Sequence, residues 1–268
     1  MIINKVLLFK SDKSKVTEND IEFVEKTLDS YRISHTRCCG NDCGDGYDAI
    51  IALGGDGTML NACRIAFRKG LPILSINFGT LGYMSGLEKS ELGLLSELKS
   101  GCRTEKRMLL DIKVYRNEEI IAESTALNEA VIARSADGDI AELELLCDGS
   151  NVCAYRADGL IFATPTGSSA YSMSAGGPII DTKLDAFCVC PICSHSLGAR
   201  AMVFSPNSIL EARNNDRTGG NNILLSDGRR VCTLEQGDVI KVTRSKHTLE
   251  LIKLKKDAFY ETLYNKMS

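Results

Sequence analysis

The sequence predicts two domains of different class: an α/β domain with a mostly parallel sheet, then an antiparallel β-rich domain. Three observations carry this. Strand-like apolar runs alternate with amphipathic helical segments through the first hundred residues. The apolar run Asp48 to Leu53 ends in Gly54-Gly55-Asp56-Gly57-Thr58, just before a helical segment. After about Arg107 the texture changes to short alternating runs separated by Gly, Asn and Asp, the pattern of antiparallel strands.

In order, the first domain reads as a strand at Lys5 to Lys10 and a helix at about Thr17 to Tyr31, with Ile21, Val24 and Leu28 on one face. A buried strand at Ala49 to Leu53, a helix from Met59, a strand at Pro72 to Asn77 and a helix around Glu91 to Lys99 follow. Alternating strands and helices give a parallel sheet covered on both faces, with ligands at the carboxyl ends of the strands. The β-rich part reads as strands at Leu109 to Tyr115, Ile120 to Glu123, Asn128 to Ala133, Glu142 to Leu146, Leu160 to Ala163, Val231 to Leu234 and Val239 to Val242. A strand-like run at Leu249 to Leu254 precedes a helical one at Ala258 to Tyr264.

Composition narrows the function classes. Hydrophobic residues are 44% and charged residues 25% of 268, the proportions of a globular chain with a sizeable core. A net charge of −3 offers no global basic field for nucleic acid. No apolar run approaches the roughly 18 residues that span a bilayer, and the N-terminus reads as a strand rather than a leader. Eleven cysteines without a secretion signal point to a reducing cytoplasm and free thiols. Cys38, Cys39 and Cys43 form one cluster and Cys188, Cys190 and Cys193 another. Each falls short of the four ligands of a structural zinc site. The second alternates with apolar residues, as small hydrophobes do in a strand. No structural metal is expected.

The Gly54 to Thr58 turn joins a strand to a helix. Glycines there let a ligand approach the main chain, and the first N–H groups of the helix suit phosphate. A carboxylate at such a turn, Asp56, suggests a metal ligand or a base for a hydroxyl. The plainer alternative is a tight turn capped by Asp56 or Thr58. The turn Asn77 to Tyr83 leaves the next strand at the same edge and is placed to cover a ligand. A second block, Arg156 to Pro178, holds Asp158, a short apolar strand ending at Ala163, and four hydroxyls between Thr164 and Ser169. Tyr171 and Ser174 follow, three apart and so on one helix face. Small hydroxyl side chains suit sugar and base edges, and Tyr171 suits stacking. The alternative is a hydroxyl-rich helix cap followed by a buried Tyr.

Together with Ala126-Leu127-Asn128-Glu129, these segments resemble the NAD kinase family, which phosphorylates the 2′-hydroxyl of the adenosine ribose of NAD. The turn Gly79 to Tyr83, the Pro191 to Arg200 segment and Asp227-Gly228 resemble the family too. Ala201 departs from it where many members have Pro, and Arg229 where many have Gln. The resemblance implies a Rossmann-like α/β domain over residues 1–105, joined by the tail 246–268, and a β-rich NAD-binding domain over 106–245. It implies that Asp56 is the proton acceptor. NAD would meet Gly57, Asn128, Glu129, Arg156, Asp158, Ala163, Thr166, Ser169, Ala170, Tyr171 and Ser174. The donor, ATP or polyphosphate, would lie over Gly54, Gly55 and Thr58 with Mg²⁺ or another divalent cation. His195 reads as structural. NAD and ATP are the expected partners, with no nucleic acid and no membrane, in a cytoplasmic homodimer or homotetramer. Two other classes compete: a lipid kinase sharing the Gly-Gly-Asp-Gly turn, and a non-catalytic NAD(H) sensor.

Overall fold

The computed structural model describes residues 1–38, 44–79, 82–84, 86–135, 139–196, 198–215, 222–255 and 259–267. It divides into two units, Met1–Arg107 with Leu249–Ser268, and Met108–Thr248.

In the first unit, strands β1 (Lys5–Phe9), β2 (Ser34–Cys38), β3 (Ala49–Leu53) and β4 (Ile73–Asn77) pair in parallel in the order β2-β1-β3-β4. The short β5 (Leu87–Glu88) pairs with β4. Every residue of β3 and β4 is buried, as befits a sheet covered on both faces. Helix α1 (Glu18–Ser30) buries Ile21, Val24 and Leu28 against this sheet. Its start is fixed by a capping box between Thr17 and Asp20. The Lys89 ammonium and the Thr17 hydroxyl hold the Asp20 carboxyl down at about 2. Helix α2 (Asp56–Lys69) ends on Gly70 in the left-handed region, whose N–H donates back to the last turn. The chain steps from β1 outward to β2, then crosses back to β3 and on to β4. The order therefore reverses between β1 and β3, and the crevice at their carboxyl ends is where such sheets bind ligands.

The second unit is a sandwich of antiparallel strands. One layer holds β9 (Ala141–Cys147), β10 (Ser150–Ala157), β14 (Leu210–Asn214) and β17 (Val239–Lys253), in the order β10-β9-β14-β17. The hairpin of β6 (Arg103–Arg116) and β7 (Glu119–Ala126) adds to it. The facing sheet is β13-β12-β11-β8-β15-β16, from β8 (Glu129–Ala133), β11 (Gly159–Ala163), β12 (Phe187–Ile192), β13 (Met202–Phe204), β15 (Asn222–Ser226) and β16 (Arg229–Leu234). Tyr155, Phe162, Phe187, Leu145, Leu210 and Ile240 fill the core between the layers. Val131, Ile161, Cys188 and Cys190 pack beneath a further cover on the outer side of β8, β11 and β12. Those strands are thus apolar on both faces, which is why Cys188 and Cys190 sit there as buried small hydrophobes.

Several elements differ from the sequence reading. Helix α2 starts at Asp56, not Met59, with Gly55 as N-cap. The Glu91 to Lys99 helix is mostly a 3₁₀ helix, Lys89–Ser96, followed by one turn, α3 (Glu97–Ser100). Gly93 weakens an α-helix there. Glu91 is drawn out of line by the Glu88 N–H and the Lys255 ammonium. The expected runs at Val239 to Val242 and Leu249 to Leu254 belong to one strand, β17. Strands β2, β5, β10, β13, β14 and β15 have no counterpart in the reading; β2 and β14 turn polar residues outward, and β10 opens on the exposed Ser150 and Asn151. A helix α5 (Phe259–Met267) closes the chain; Ala258 lies outside the described residues. The expectation of free thiols fails at Cys38, which is disulfide-bonded; Cys39 and Cys43 lie outside the described residues. Cys63, Cys102, Cys147, Cys153, Cys188, Cys190, Cys193 and Cys232 are not disulfide-bonded.

One buried ion pair offers a test of the second unit. Asp238 is fully buried, and its carboxylate accepts from the Arg116 guanidinium at 2.7 and 2.8 Å and from the Glu235 N–H. Arg116→Met leaves that charge unpaired. We expect a loss of roughly 2–4 kcal/mol in urea unfolding, somewhat under the full cost of breaking a buried pair because the guanidinium is partly exposed. A loss below about 0.5 kcal/mol would show that Asp238 is not held by this pair.

Candidate functional site

In the second unit, three adjacent strands bring their ends to one edge of the sheet. The start of β8 lies beside the ends of β11 and β15, with Glu129 paired to Ala163 and Ala130 to Ser226. Asp227, in the left-handed region after β15, closes this edge. Its carboxylate accepts the N–H groups of Leu127 (2.8 Å), Asn128 (2.8 Å) and Glu129 (3.2 Å), and its own N–H donates to the Glu129 carbonyl. From the other side Thr164 donates its N–H to the Asn128 carbonyl and its hydroxyl to the Leu127 carbonyl. The backbone of Leu127-Asn128-Glu129 is thus held on both sides.

The side chains that this backbone presents are unsatisfied. Asn128 is 6% and Glu129 7% exposed, yet among the described residues Asn128 Oδ1 and Glu129 Oε2 have no hydrogen-bond partner. A buried polar atom without a partner costs stability and asks for an explanation; a ligand with polar edges supplies one. Burial, and then the negative Asp227, push the Glu129 carboxyl up to about 8. At neutral pH it is largely protonated, able to donate as well as accept.

The expected hydroxyl-rich segment lies at the same edge. Thr164, Thr166, Ser168 and Ser169 are buried. Gly167 has no room for a side chain, since a Cβ would lie 2.1 Å from the Asn128 carbonyl oxygen. Thr164, Ser168 and Ser169 spend their hydroxyls on nearby main chain, and so shape the segment. Ala170 leads into a single turn, α4 (Tyr171–Ser174). Tyr171 is 45% exposed, which removes the alternative of a core tyrosine. Ser174 is exposed as well.

Arg156 and Asp158 are not part of this gathering. Asp158 precedes β11 and accepts from Arg134, just after β8, at 2.6 Å. Arg156 faces Glu142 at 3.4 Å, and its carbonyl accepts the His195 N–H. All lie at the opposite end of β11, about 15–20 Å from Asn128 at a strand's rise per residue. In the Pro191 to Arg200 segment, Leu197 lies outside the described residues.

In the first unit, the glycine turn bends into α2. Gly54 has φ +144°, and a Cβ there would lie 2.5 Å from Thr58 Oγ1. Thr58 and Met59 donate their N–H groups to the carbonyl of Gly55, the N-cap, so neither Asp56 nor Thr58 caps the helix with its side chain. That leaves the Asp56 and Gly57 N–H groups for an anion. The Asp56 carboxylate accepts the N–H groups of Tyr83 (3.1 Å) and Met84 (3.2 Å). The turn after β4 therefore fixes Asp56; its Thr80 and Leu81 lie outside the described residues. A cleft of about 370 Å³ opens here, lined by Gly54, Gly55, Gly57 and Thr58 and by Ser11, Lys13, Ser14 and Lys15. The sequence reading passed over Lys13 and Lys15. Their signal was two lysines in the loop after the first strand, opposite a glycine turn. The reading counted Thr164 among the hydroxyls without giving it a role, and gave Asp227 no role beyond the resemblance of its turn.

The raised Glu129 carboxyl fixes a pH dependence. The folded state holds this proton up to about pH 8, while the unfolded state releases it near 4.5. Its contribution to stability is therefore full below about pH 4.5, declines as pH rises, and is spent by about pH 8. Glu129→Gln lacks this loss. We expect the ligand-free variant to gain on the parent between about pH 5 and 8, by at most ~1.4 kcal/mol per pH unit, and no further above that. Urea midpoints at several pH values would read it. A difference that does not vary with pH would contradict the assignment.

Comparisons with known proteins place the chain. Residues 7–97 match the ATP-NAD kinase N-terminal domain and residues 127–254 the ATP-NAD kinase C-terminal domain. The chain is similar to the NAD kinase of Caldanaerobacter subterraneus, 38% identical over 82% of this chain and 78% of that one. It is 39% identical to the NAD kinase of Symbiobacterium thermophilum over 82% and 78%. Its fold resembles that of yeast NADH kinase complexed with NADH, with a TM-score of 0.89 at 22% identity over 100% of this chain and 88% of that one. It also resembles an NAD kinase from Archaeoglobus fulgidus in complex with ATP, with a TM-score of 0.76 at 23% identity over 98% of each. The two domain matches and the identity over four-fifths of the chain settle the family: the chain belongs to the ATP-NAD kinases.

Proposed function

We propose that the protein transfers the terminal phosphate of ATP to the 2′-hydroxyl of the adenosine ribose of NAD, giving NADP. The observation that carries this reading is the pair of buried, unsatisfied polar atoms on Asn128 and Glu129, beside an exposed Tyr171. An amide and a protonated carboxyl offer both donors and acceptors to ribose hydroxyls and an adenine edge. The buried segment from Thr166 to Ala170 lines the dinucleotide, with Ala163 leaving room beside Glu129. Tyr171 stacks on a heterocycle, and Ser174 reaches the same face.

Asp56 accepts the proton of the attacking hydroxyl. Each of its oxygens is bonded to one main-chain N–H, which fixes the carboxylate and leaves lone pairs for the hydroxyl. Gly54, Gly55 and Gly57 let the donor's phosphates approach the main chain, and the Lys13 and Lys15 side chains offer them positive charge. Mg²⁺ or another divalent cation fits as part of the donor. Such an ion would be held chiefly by the donor's phosphate oxygens. When bound it neutralises charge on the transferred phosphoryl.

Arg156 and Asp158 have a role in this scheme if the protein is a homodimer or homotetramer, in which a second copy's substrate comes within their reach. Among the described residues no helix is long and apolar enough to cross a membrane, and we place the enzyme in the cytoplasm. A lipid kinase has no use for Asn128, Glu129 and the hydroxyl-rich segment; a mere sensor has no use for a fixed carboxylate at a phosphate turn. Transfer of labelled γ-phosphate from ATP, offered NAD and diacylglycerol separately, separates these readings. We expect label on NAD alone. Label on the lipid, or on neither, would overturn the proposal.

Two substitutions test the roles. Asp56→Asn keeps the hydrogen bonds from Tyr83 and Met84 only in part and cannot take the proton. NAD phosphorylation should fall by about 10²–10⁴, with NAD affinity within a few-fold of the parent. Turnover within threefold would remove Asp56 from the reaction. Tyr171→Ala removes a surface ring that holds up no core. Calorimetry should find NAD binding weaker by about 1–3 kcal/mol with the melting temperature unchanged; equal affinity would place the stacking elsewhere.

A further inference from the structure

Asp56 is held by a turn, and a carboxylate bonded to two main-chain donors is only as fixed as those donors. They are the N–H groups of Tyr83 and Met84, at 3.1 and 3.2 Å. Beneath them lies Ser75, in the middle of β4 among the buried Leu74 and Ile76, and only 4% exposed. A hydroxyl buried in such a strand is costly unless it is bonded. Ser75 Oγ donates to the Met84 carbonyl at 2.7 Å and accepts the Gly86 N–H at 2.7 Å. One hydroxyl thus bonds the turn at two points, as donor and as acceptor. Met84 is tied at both ends, its N–H to Asp56 and its carbonyl to Ser75. Gly86 permits this approach, since a Cβ there would lie 3.0 Å from the Ser75 carbonyl oxygen and 3.0 Å from Leu74 Cδ1.

The strand register completes the frame. Ser75 pairs with Ala52 of β3 and Ile76 with Leu53, and the Gly54 N–H donates to the Ile76 carbonyl at 2.9 Å. The glycine turn that carries Asp56 and the turn that holds it are therefore both anchored on two adjacent residues of β4. The other contact on the holding turn is looser. The Lys266 ammonium of α5 lies 4.2 Å from the centre of the Tyr83 ring, but Lys266 is exposed, and a hydrated cation constrains a ring weakly.

We propose that Ser75 is a positioning residue for phosphoryl transfer. Its hydroxyl sets the turn that aims the Tyr83 and Met84 N–H groups at Asp56, and so sets where the carboxylate meets the attacking hydroxyl. The proposal rests on the reading of Asp56 as the proton acceptor. Buried as it is, Ser75 has no surface to offer a substrate, so its loss acts on the rate and not on binding.

Ser75→Ala leaves the Met84 carbonyl and the Gly86 N–H without this partner. It should lower kcat about tenfold, the kind of loss that a misplaced reacting group produces, with KM for NAD and for ATP within about twofold. Gly86→Ala displaces the same turn by crowding β4 while the Ser75 hydroxyl stays, and should give the same split. Asp56→Asn is measured beside them. Turnover kept by Asp56→Asn would overturn the proton-acceptor reading and this proposal with it. A slow Asp56→Asn beside an unimpaired Ser75→Ala and Gly86→Ala would overturn this proposal alone. The double variant separates positioning from general damage. Residues that act through one another are not additive, so Asp56→Asn with Ser75→Ala should be no slower than Asp56→Asn; a further loss of about tenfold would mean that Ser75 acts by another route. Amide exchange gives a readout free of activity. The Tyr83 and Met84 N–H groups should exchange about tenfold faster in Ser75→Ala, a local loosening that leaves the amides of β3 unchanged. Equal exchange at both would show that Ser75 does not hold the turn.

Discussion

The Asp227 carboxylate is the constraint on which the dinucleotide half of this molecule depends. Three successive N–H groups, from Leu127, Asn128 and Glu129, converge on it. Successive main-chain donors do not point the same way in a strand, so the chain turns here and β8 begins at Glu129, as the chain leaves the turn. The turn carries Asn128 and Glu129 into the buried edge where Asn128 Oδ1 and Glu129 Oε2 find no partner among the described residues. The same carboxylate raises the cost of ionising Glu129. A single acidic residue thus positions the two groups proposed to recognise NAD and raises the pKa of one of them. Loss of those polar contacts is tolerable only because a ligand can supply them, the usual exchange of stability for function at a binding site.

The glycine turn of the first unit works on similar terms. Main-chain N–H groups from the turn after β4 hold Asp56, and the left-handed Gly54 lets α2 start where its first donors face outward. In both units a carboxylate is bonded to main-chain donors from a segment distant in sequence. In the proposed reaction the held carboxylate of Asp56 is the reactive group, whereas that of Asp227 is the scaffold. That difference follows from what surrounds each: Asp227 spends its oxygens on three donors, Asp56 on two.

Much of this was legible in the chain. The strand-turn-helix around Gly54 to Thr58 was visible because every residue from Ala49 to Leu53 is apolar and the glycines that follow permit little else. The hydroxyl-rich block stood out because its residues are too small and too polar for a core, and Tyr171 alone among them is large. Less visible were strands such as β2, Ser-His-Thr-Arg-Cys, which exists because β1 offers it an unpaired edge rather than from any propensity of its own. The extent of β17 was hidden because Arg244 to His247 interrupts the apolar alternation with polar residues. Within the site, the importance of Asp227 could not be read from its own neighbours, since its partners lie a hundred positions away. The separation of Asp158 from Tyr171 was equally hidden: thirteen positions of sequence include a whole strand, and a strand carries its two ends apart.

The central claim, that the adenosine 2′-hydroxyl of NAD is the acceptor, is tested most directly by the structure of the product. After incubation with NAD and ATP, phosphorus NMR should show a single new 2′-monoester on the adenosine ribose, and the product should serve an NADP-specific dehydrogenase. A phosphate on the nicotinamide ribose, or no ester of NAD under any nucleotide donor, would contradict the account.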